Sequence, residues 1–158
     1  MFKVSSKGRY AVKAVYELAL HVGRGPLTVG SIAHAQNIPE QYLEQLMPSL
    51  KRAGIVHGMR GAQGGYQLAG RPDQVSVRDV VQAVEGRIVV ADCAGVEGSG
   101  CAETNWCIGP DVWVRVQEAV DEAMSQITME QLLREQRLVA RQKIEGLGLV
   151  KTATGEGG

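Results

Sequence analysis

Between Lys7 and Val22 the apolar residues Ala11, Ala14, Val15, Leu18, Ala19 and Val22 recur three or four positions apart. That spacing lines one face of an α-helix. Gly23-Arg24-Gly25-Pro26 ends the pattern, and Thr28 is placed to cap a short second helix carrying Val29, Ile32 and Ala33. After the tight break Asn37-Ile38-Pro39, a third helix is predicted from about Pro39 to Ala53, with Tyr42, Leu43, Leu46 and Leu50 on its buried side and Gly54 as its stop. Pro48 falls inside this helix, and its missing N–H and ring clash predict a kink there.

Two short extended runs follow, Ile55 to Met59 and Tyr66 to Ala69, joined by Arg60-Gly61-Ala62-Gln63-Gly64-Gly65. Three glycines in the joint permit the backbone of a hairpin turn, which makes this pair a candidate β-wing. Ser76 with Asp79 reads as a capping box opening a helix with Val77, Val80, Val81 and Val84, closed by Gly86. Helix, helix, tight turn, helix and hairpin, in that order, is the winged helix-turn-helix arrangement, whose helix after the turn enters the DNA major groove. Residues 87–109 carry no helical or strand period. Beyond Gly109-Pro110 a long helix is predicted, with Trp113, Val116, Val120 and Ala123 or Met124 at helical spacing. Thr128 to Gln131 forms a second capping-box signature for a helix running to about Lys143, and the glycine-rich end from Gly146 is predicted to fray.

Composition narrows the class of protein. The chain has 158 residues, 44% hydrophobic and 22% charged, which excludes disordered, collagen-like and fibrous sequences and fits one domain or a compact domain with an appendage. Aromatic residues are only 4% while glycines number 20, so the core is expected to be modest and to be completed by a partner subunit. No run approaches the roughly 20 apolar residues of a membrane span, and the start MFKVSSKGRYAV lacks a signal-peptide pattern, so a cytoplasmic protein without membrane contact is expected. The neutral total hides a division: residues 1–75 hold nine Lys or Arg against four Asp or Glu (+5), and residues 76–158 hold eight against thirteen (−5). A basic first half fits nucleic acid, though chance asymmetry of a solvated surface accounts for it equally well.

The segments SKGRYAVKA and PEQYLEQLMPSLKRAGIVHGMRGAQGGYQLAG, with three cysteines ahead of a long Trp-containing helix, resemble a bacterial regulator family. It includes the iron-sulfur sensor IscR, the nitric-oxide sensor NsrR, the iron regulator RirA and the cysteine-metabolism regulator CymR. The resemblance runs over roughly residues 2–135. It implies a mainly α fold with a small β-wing, a winged helix-turn-helix plus a long dimerisation helix, acting as a homodimer on double-stranded promoter DNA. The implied organisation is a DNA-binding domain at 1–86, a cysteine-bearing cluster loop at 87–109, dimerisation helices at 110–145 and a flexible tail at 146–158. No catalysis is implied.

The positions carried over for DNA are Tyr42, Glu44 and Gln45 on the third helix and Arg60 in the wing. A Gln amide pairs with adenine, a carboxylate accepts from cytosine N4, and an Arg enters a narrow minor groove. Helix packing for Tyr42 and a solvated face for Glu44 are the plainer alternatives. Glu44 is expected to restrict which sites are accepted, because a carboxylate near phosphates is costly without a base-edge donor. Lys7, Arg9, Lys51 and Arg52 are candidate phosphate contacts, or plain surface charge.

Cys93, Cys101 and Cys107 are the three cysteines of the chain, spaced C-x7-C-x5-C. An odd number within fifteen residues of a reducing compartment favours thiolate ligation over disulfides. Zinc with a fourth ligand stays open. The resemblance points to a 2Fe-2S cluster held by these three cysteines. The histidine that IscR places three residues after its third cysteine is replaced here by Pro110, and the position where NsrR offers an Asp is matched by Arg9. Glu103, Asn105 and Asp111 are left as candidate fourth ligands, alongside solvent or a small thiol. Two alternatives remain: a cluster-free regulator controlled by thiol oxidation or a partner protein, as CymR is, and more remotely a small redox protein, which would leave the third helix and wing without purpose.

Overall fold

The computed structural model describes residues 3–91 and 109–146, the side chains of 109–111 excepted. Its elements are α1 (Ser6–Leu20), α2 (Val29–Gln36), α3 (Glu40–Arg52), β1 (Val56–Met59), β2 (Gly65–Leu68), a 3-10 turn at Pro72–Gln74, α4 (Val77–Glu85), α5 (Gly109–Gln126) and α6 (Met129–Gly146). The mainly helical architecture with a two-stranded wing is thus the one the residue pattern predicts.

Helix α1 starts where the Ser5 hydroxyl accepts a hydrogen bond from the Lys7 N–H, and it buries Ala11, Ala14, Val15, Leu18 and Ala19. Val22 departs from expectation: the helix stops at Leu20, and Val22 is 52% exposed. A helical period loses its meaning once the chain turns, here at Gly23 with φ +81°. Helix α2 is capped by Thr28 as expected and closes on Asn37 in the left-handed conformation. Helix α3 buries Leu43, Leu46, Met47 and Leu50 against α1 and α4. It runs unbroken through Pro48, which is exposed, as is Glu44 one turn earlier. Pro48 has no N–H to give the Glu44 carbonyl, and the exposure of both residues puts this missing bond on the outer side of the helix.

The wing pairs β1 with β2 in antiparallel register from Val56–Leu68 to Met59–Gly65. A third partner was not evident from the residue pattern. Leu27 exchanges both backbone hydrogen bonds with Tyr66, at 2.9 and 2.7 Å, so the segment entering α2 lies along the free edge of β2. Gly65, at φ +154°, sits at this crossing, where a Cβ would collide with the Leu27 backbone.

The capping box of α4 is complete, with Ser76 and Asp79 each serving the other's backbone N–H. That of α6 is half formed: Thr128 Oγ1 accepts from the Gln131 N–H, but the Gln131 amide turns away to Glu135. The two starts lie side by side, since Val77 N–H donates to the Ile127 carbonyl (2.8 Å) and Met129 N–H to that of Val75 (2.9 Å). Met129 and Leu133 thereby enter the same apolar core as α1, α3 and α4. Among the described residues no helix is long and apolar enough to cross a membrane.

Candidate nucleic-acid interface

The period that buries one side of α3 exposes the other. Glu44, Gln45, Lys51 and Arg52 are exposed, and their side chains make no hydrogen bond or ion pair among the described residues. Unpaired donors and acceptors in two adjacent pairs seven positions, or two helical turns, apart form a row able to meet base edges and phosphates. Tyr42 is half-buried, its ring edge-on to that of Tyr10 on α1 at a centroid separation of 5.4 Å. The packing role is therefore real, and it fastens the start of α3 to α1. Arg60 is exposed at the tip of the wing beside Gly61, whose φ of +116° makes the turn. Lys7 is half-buried and Arg9 exposed, the Arg9 guanidinium donating to Ser6 Oγ at 3.0 Å.

Cys93, Cys101, Cys107, Glu103 and Asn105 lie outside the described residues, as does the Asp111 side chain. The approaches to that segment are described. Gln117 on α5 is only 3% exposed, and its amide donates to the Ile88 carbonyl and accepts from the Val90 N–H, both at 2.9 Å. One side chain thus supplies both hydrogen bonds that a neighbouring strand would give residues 88–90. The chain is fastened to α5 just before the cysteine segment and re-enters α5 at Gly109 just after it. A second tie joins α5 to α4, where Arg78 lies 3.8 Å from Asp121.

Three structural residues escaped the reading of the pattern. Gln117 left a trace, as a polar residue four positions after Trp113 and three before Val120 in an apolar stripe. Glu85 left none: its carboxylate caps the start of α1 from the far end of α4. Glu17 is buried between α1 and α2, where Gln36 donates to it at 2.6 Å and His21 approaches to 3.5 Å. Beside it burial raises the Tyr16 phenol above its ordinary pKa, Glu17 adding to the shift and Arg137 opposing it.

On α5 the apolar residues Val112, Trp113, Val114 and Val116 are exposed, Trp113 by 41%. Val112, Trp113 and Val116 share one side of the helix, which the described residues leave uncovered, while Val114 points away from them.

Comparison with known proteins agrees with this geometry. The regulator CymR of Bacillus subtilis is 38% identical over 130 residues, which are 82% of this chain and 88% of that protein. Its solved structure superposes with a TM-score of 0.70 over 84% of this chain and 96% of CymR. IscR of Aliivibrio salmonicida is 35% identical over 146 residues, 90% of this chain and 86% of that protein. The solved IscR of T. potens is 38% identical with a TM-score of 0.68, covering 84% of this chain and 87% of its own. The Rrf2 family model, described as an iron-dependent transcriptional regulator, matches residues 4–135. A winged helix-turn-helix with a free polar row on its third helix, matched along most of its length to such proteins, belongs to the Rrf2 family of DNA-binding transcriptional regulators, which are not enzymes.

Proposed function

We propose that the protein is a homodimeric regulator that binds double-stranded promoter DNA and alters its affinity or site preference when a 2Fe-2S cluster on Cys93, Cys101 and Cys107 is gained, lost or attacked. The carrying observation for DNA is the unpartnered row on α3, flanked by the wing tip at Arg60. Gln45 and Glu44 read bases, Arg60 enters the minor groove or meets phosphate, and Lys7, Arg9, Lys51 and Arg52 neutralise phosphates. Tyr42 acts through its packing on Tyr10. The apolar face of α5 is the proposed seam between protomers, a symmetric arrangement that sets two α3 helices against successive major-groove turns.

For the cluster, the donor set is suitable: three soft thiolates within fifteen residues suit iron-sulfur ligation, with Glu103, Asn105 or Asp111 as fourth-ligand candidates. Fastening of both ends of this segment to α5 gives a change in ligation a direct route to the proposed dimer helix. A bound cluster supplies a redox-sensitive and exchangeable centre, and the chain supplies the lever. The second reading, a cluster-free thiol regulator, draws on the 38% identity to CymR, which the 38% identity to the IscR of T. potens equals on the side of the cluster.

Anaerobic purification with iron and sulfide assays and visible spectra separates the two. Coloured protein that loses iron when Cys93, Cys101 or Cys107 is replaced by Ala supports the cluster, while colourless, iron-free protein that still binds promoter DNA supports the thiol reading. Collapse of the dimer on cysteine loss points to structural zinc. Selection of genomic DNA in each state then supplies the operator.

A further inference from the structure

We propose that Glu85 is a positioning residue for DNA binding, one that holds the first turn of α1 where Lys7 and Arg9 meet the DNA backbone, a role that rests on the DNA surface proposed above. Glu85 is the last residue of α4. Its Oε1 accepts hydrogen bonds from the Ser5 N–H at 3.1 Å, the Ser5 hydroxyl at 2.8 Å and the Gly8 N–H at 2.8 Å. The opening N–H groups of a helix lack partners and carry partial positive charge, so a carboxylate is favourable there. A cap normally comes from the residue just before the helix and decides only that the helix starts. Glu85 comes from about 80 residues downstream, so it also decides where α1 starts relative to α4 and the rest of the head.

The fit is close on both sides. Ser5 Oγ accepts from the Lys7 N–H while donating to Glu85, so the local cap and the distant one are a single unit. Gly8 is buried, and a Cβ there would collide with the Glu85 carboxylate. Lys7 and Arg9 flank Gly8, and Glu85 forms no ion pair with either, so the carboxylate orients the turn without neutralising its cations. Two residues on, Tyr10 meets Tyr42, so displacement of this turn also disturbs the start of α3.

Salt dependence of DNA binding separates positioning from mere stability. Each phosphate contact contributes about 0.9 to the slope of log K against log salt. Losing the contacts of Lys7 and Arg9 therefore shrinks the affinity ratio between 50 mM and 200 mM salt by about tenfold per protomer. Glu85→Ala in the full-length protein is expected to lower this slope and to weaken binding, although removal of a negative charge by itself strengthens attraction to DNA. Glu85→Gln, whose amide oxygen still accepts, is expected to retain the slope. Gly8→Ala is expected to reproduce the loss, and to add little in the Glu85→Ala background. An unchanged slope in Glu85→Ala, with only a lower thermal midpoint, overturns the proposal and leaves Glu85 as a structural cap. Lys7→Ala and Arg9→Ala serve as the reference: if both lower the slope and Glu85→Ala does not, positioning alone fails. If neither does, the DNA surface on α1 is wrong and the role of Glu85 falls with it.

Discussion

Helices α3 and α5 are both amphipathic, and they resolve their apolar sides in opposite ways. On α3 the apolar residues Leu43, Leu46, Met47 and Leu50 are buried and the polar ones face out. Among the described side chains of α5 the most completely hidden is the polar Gln117, while Val112, Trp113, Val114 and Val116 are exposed. The first helix finds its apolar partners within the chain and leaves hydrogen-bonding groups free on the surface proposed to meet DNA. The second uses an amide inside the chain, because residues 88–90 present backbone groups that need partners, and its apolar side stays uncovered by the described residues. Burial therefore marks different things in the two places: the fold in one, and the limits of a single chain in the other.

The largest effect that sharpens this contrast is expected at Leu50. Leu50→Ala leaves a cavity under α3 and should cost about 2–5 kcal/mol of unfolding free energy, read from denaturant titration. Trp113→Ala should leave unfolding of the head almost untouched and instead weaken self-association by about 2 kcal/mol, roughly 30-fold in the dimer dissociation constant, as sedimentation over a concentration series would reveal. Destabilisation of the head with unchanged self-association would reverse the assignment of the α5 face.

A smaller loss is expected from Gln117→Ala, which strands the Ile88 carbonyl and Val90 N–H at a cost of about 1–3 kcal/mol. Hydrogen exchange should show it first as lost protection of the Val90 amide. Least of all in stability terms, within about ±0.5 kcal/mol, is Arg60→Ala at the exposed wing tip. Its signature should be in DNA binding, as a slope against salt shallower by about 0.9 per protomer with no change in the thermal midpoint. Glu44→Ala should differ again, relaxing discrimination between DNA sites while preserving or strengthening non-specific binding. Equal loss on all sequences would instead point to a folding defect, and unchanged discrimination with intact binding would mean that Glu44 contacts no base.

Much of the candidate site was legible before the fold. Glu44 and Gln45 fall outside the apolar spacing of α3, so their exposure follows from the helical period alone. Arg60 sits beside the glycines that demand a turn. Tyr42 belongs to both sides of the pattern, and its Tyr10 contact required the angle at which α1 meets α3. Val22 shows the opposite failure, a residue in phase with a helix that had already ended.

Local features carried much of what depends on neighbours in the chain: the helical spacings of α1, α3 and α4, the caps at Thr28 and Ser76, and the glycine turn of the wing. Backbone geometry repeats every few residues, so its demands are written at that interval. Tertiary structure alone decided the pairing of Leu27 with Tyr66, the seat of Gln117 on residues 88–90, and the capping of α1 by Glu85. In each, a backbone donor or acceptor left over by one element is satisfied by another 27 to 80 residues away. Any acceptor of suitable reach can fill that need, so no spacing records which one does. Closure of the apolar core brings the two together, and the hydrogen bonds then fix the choice.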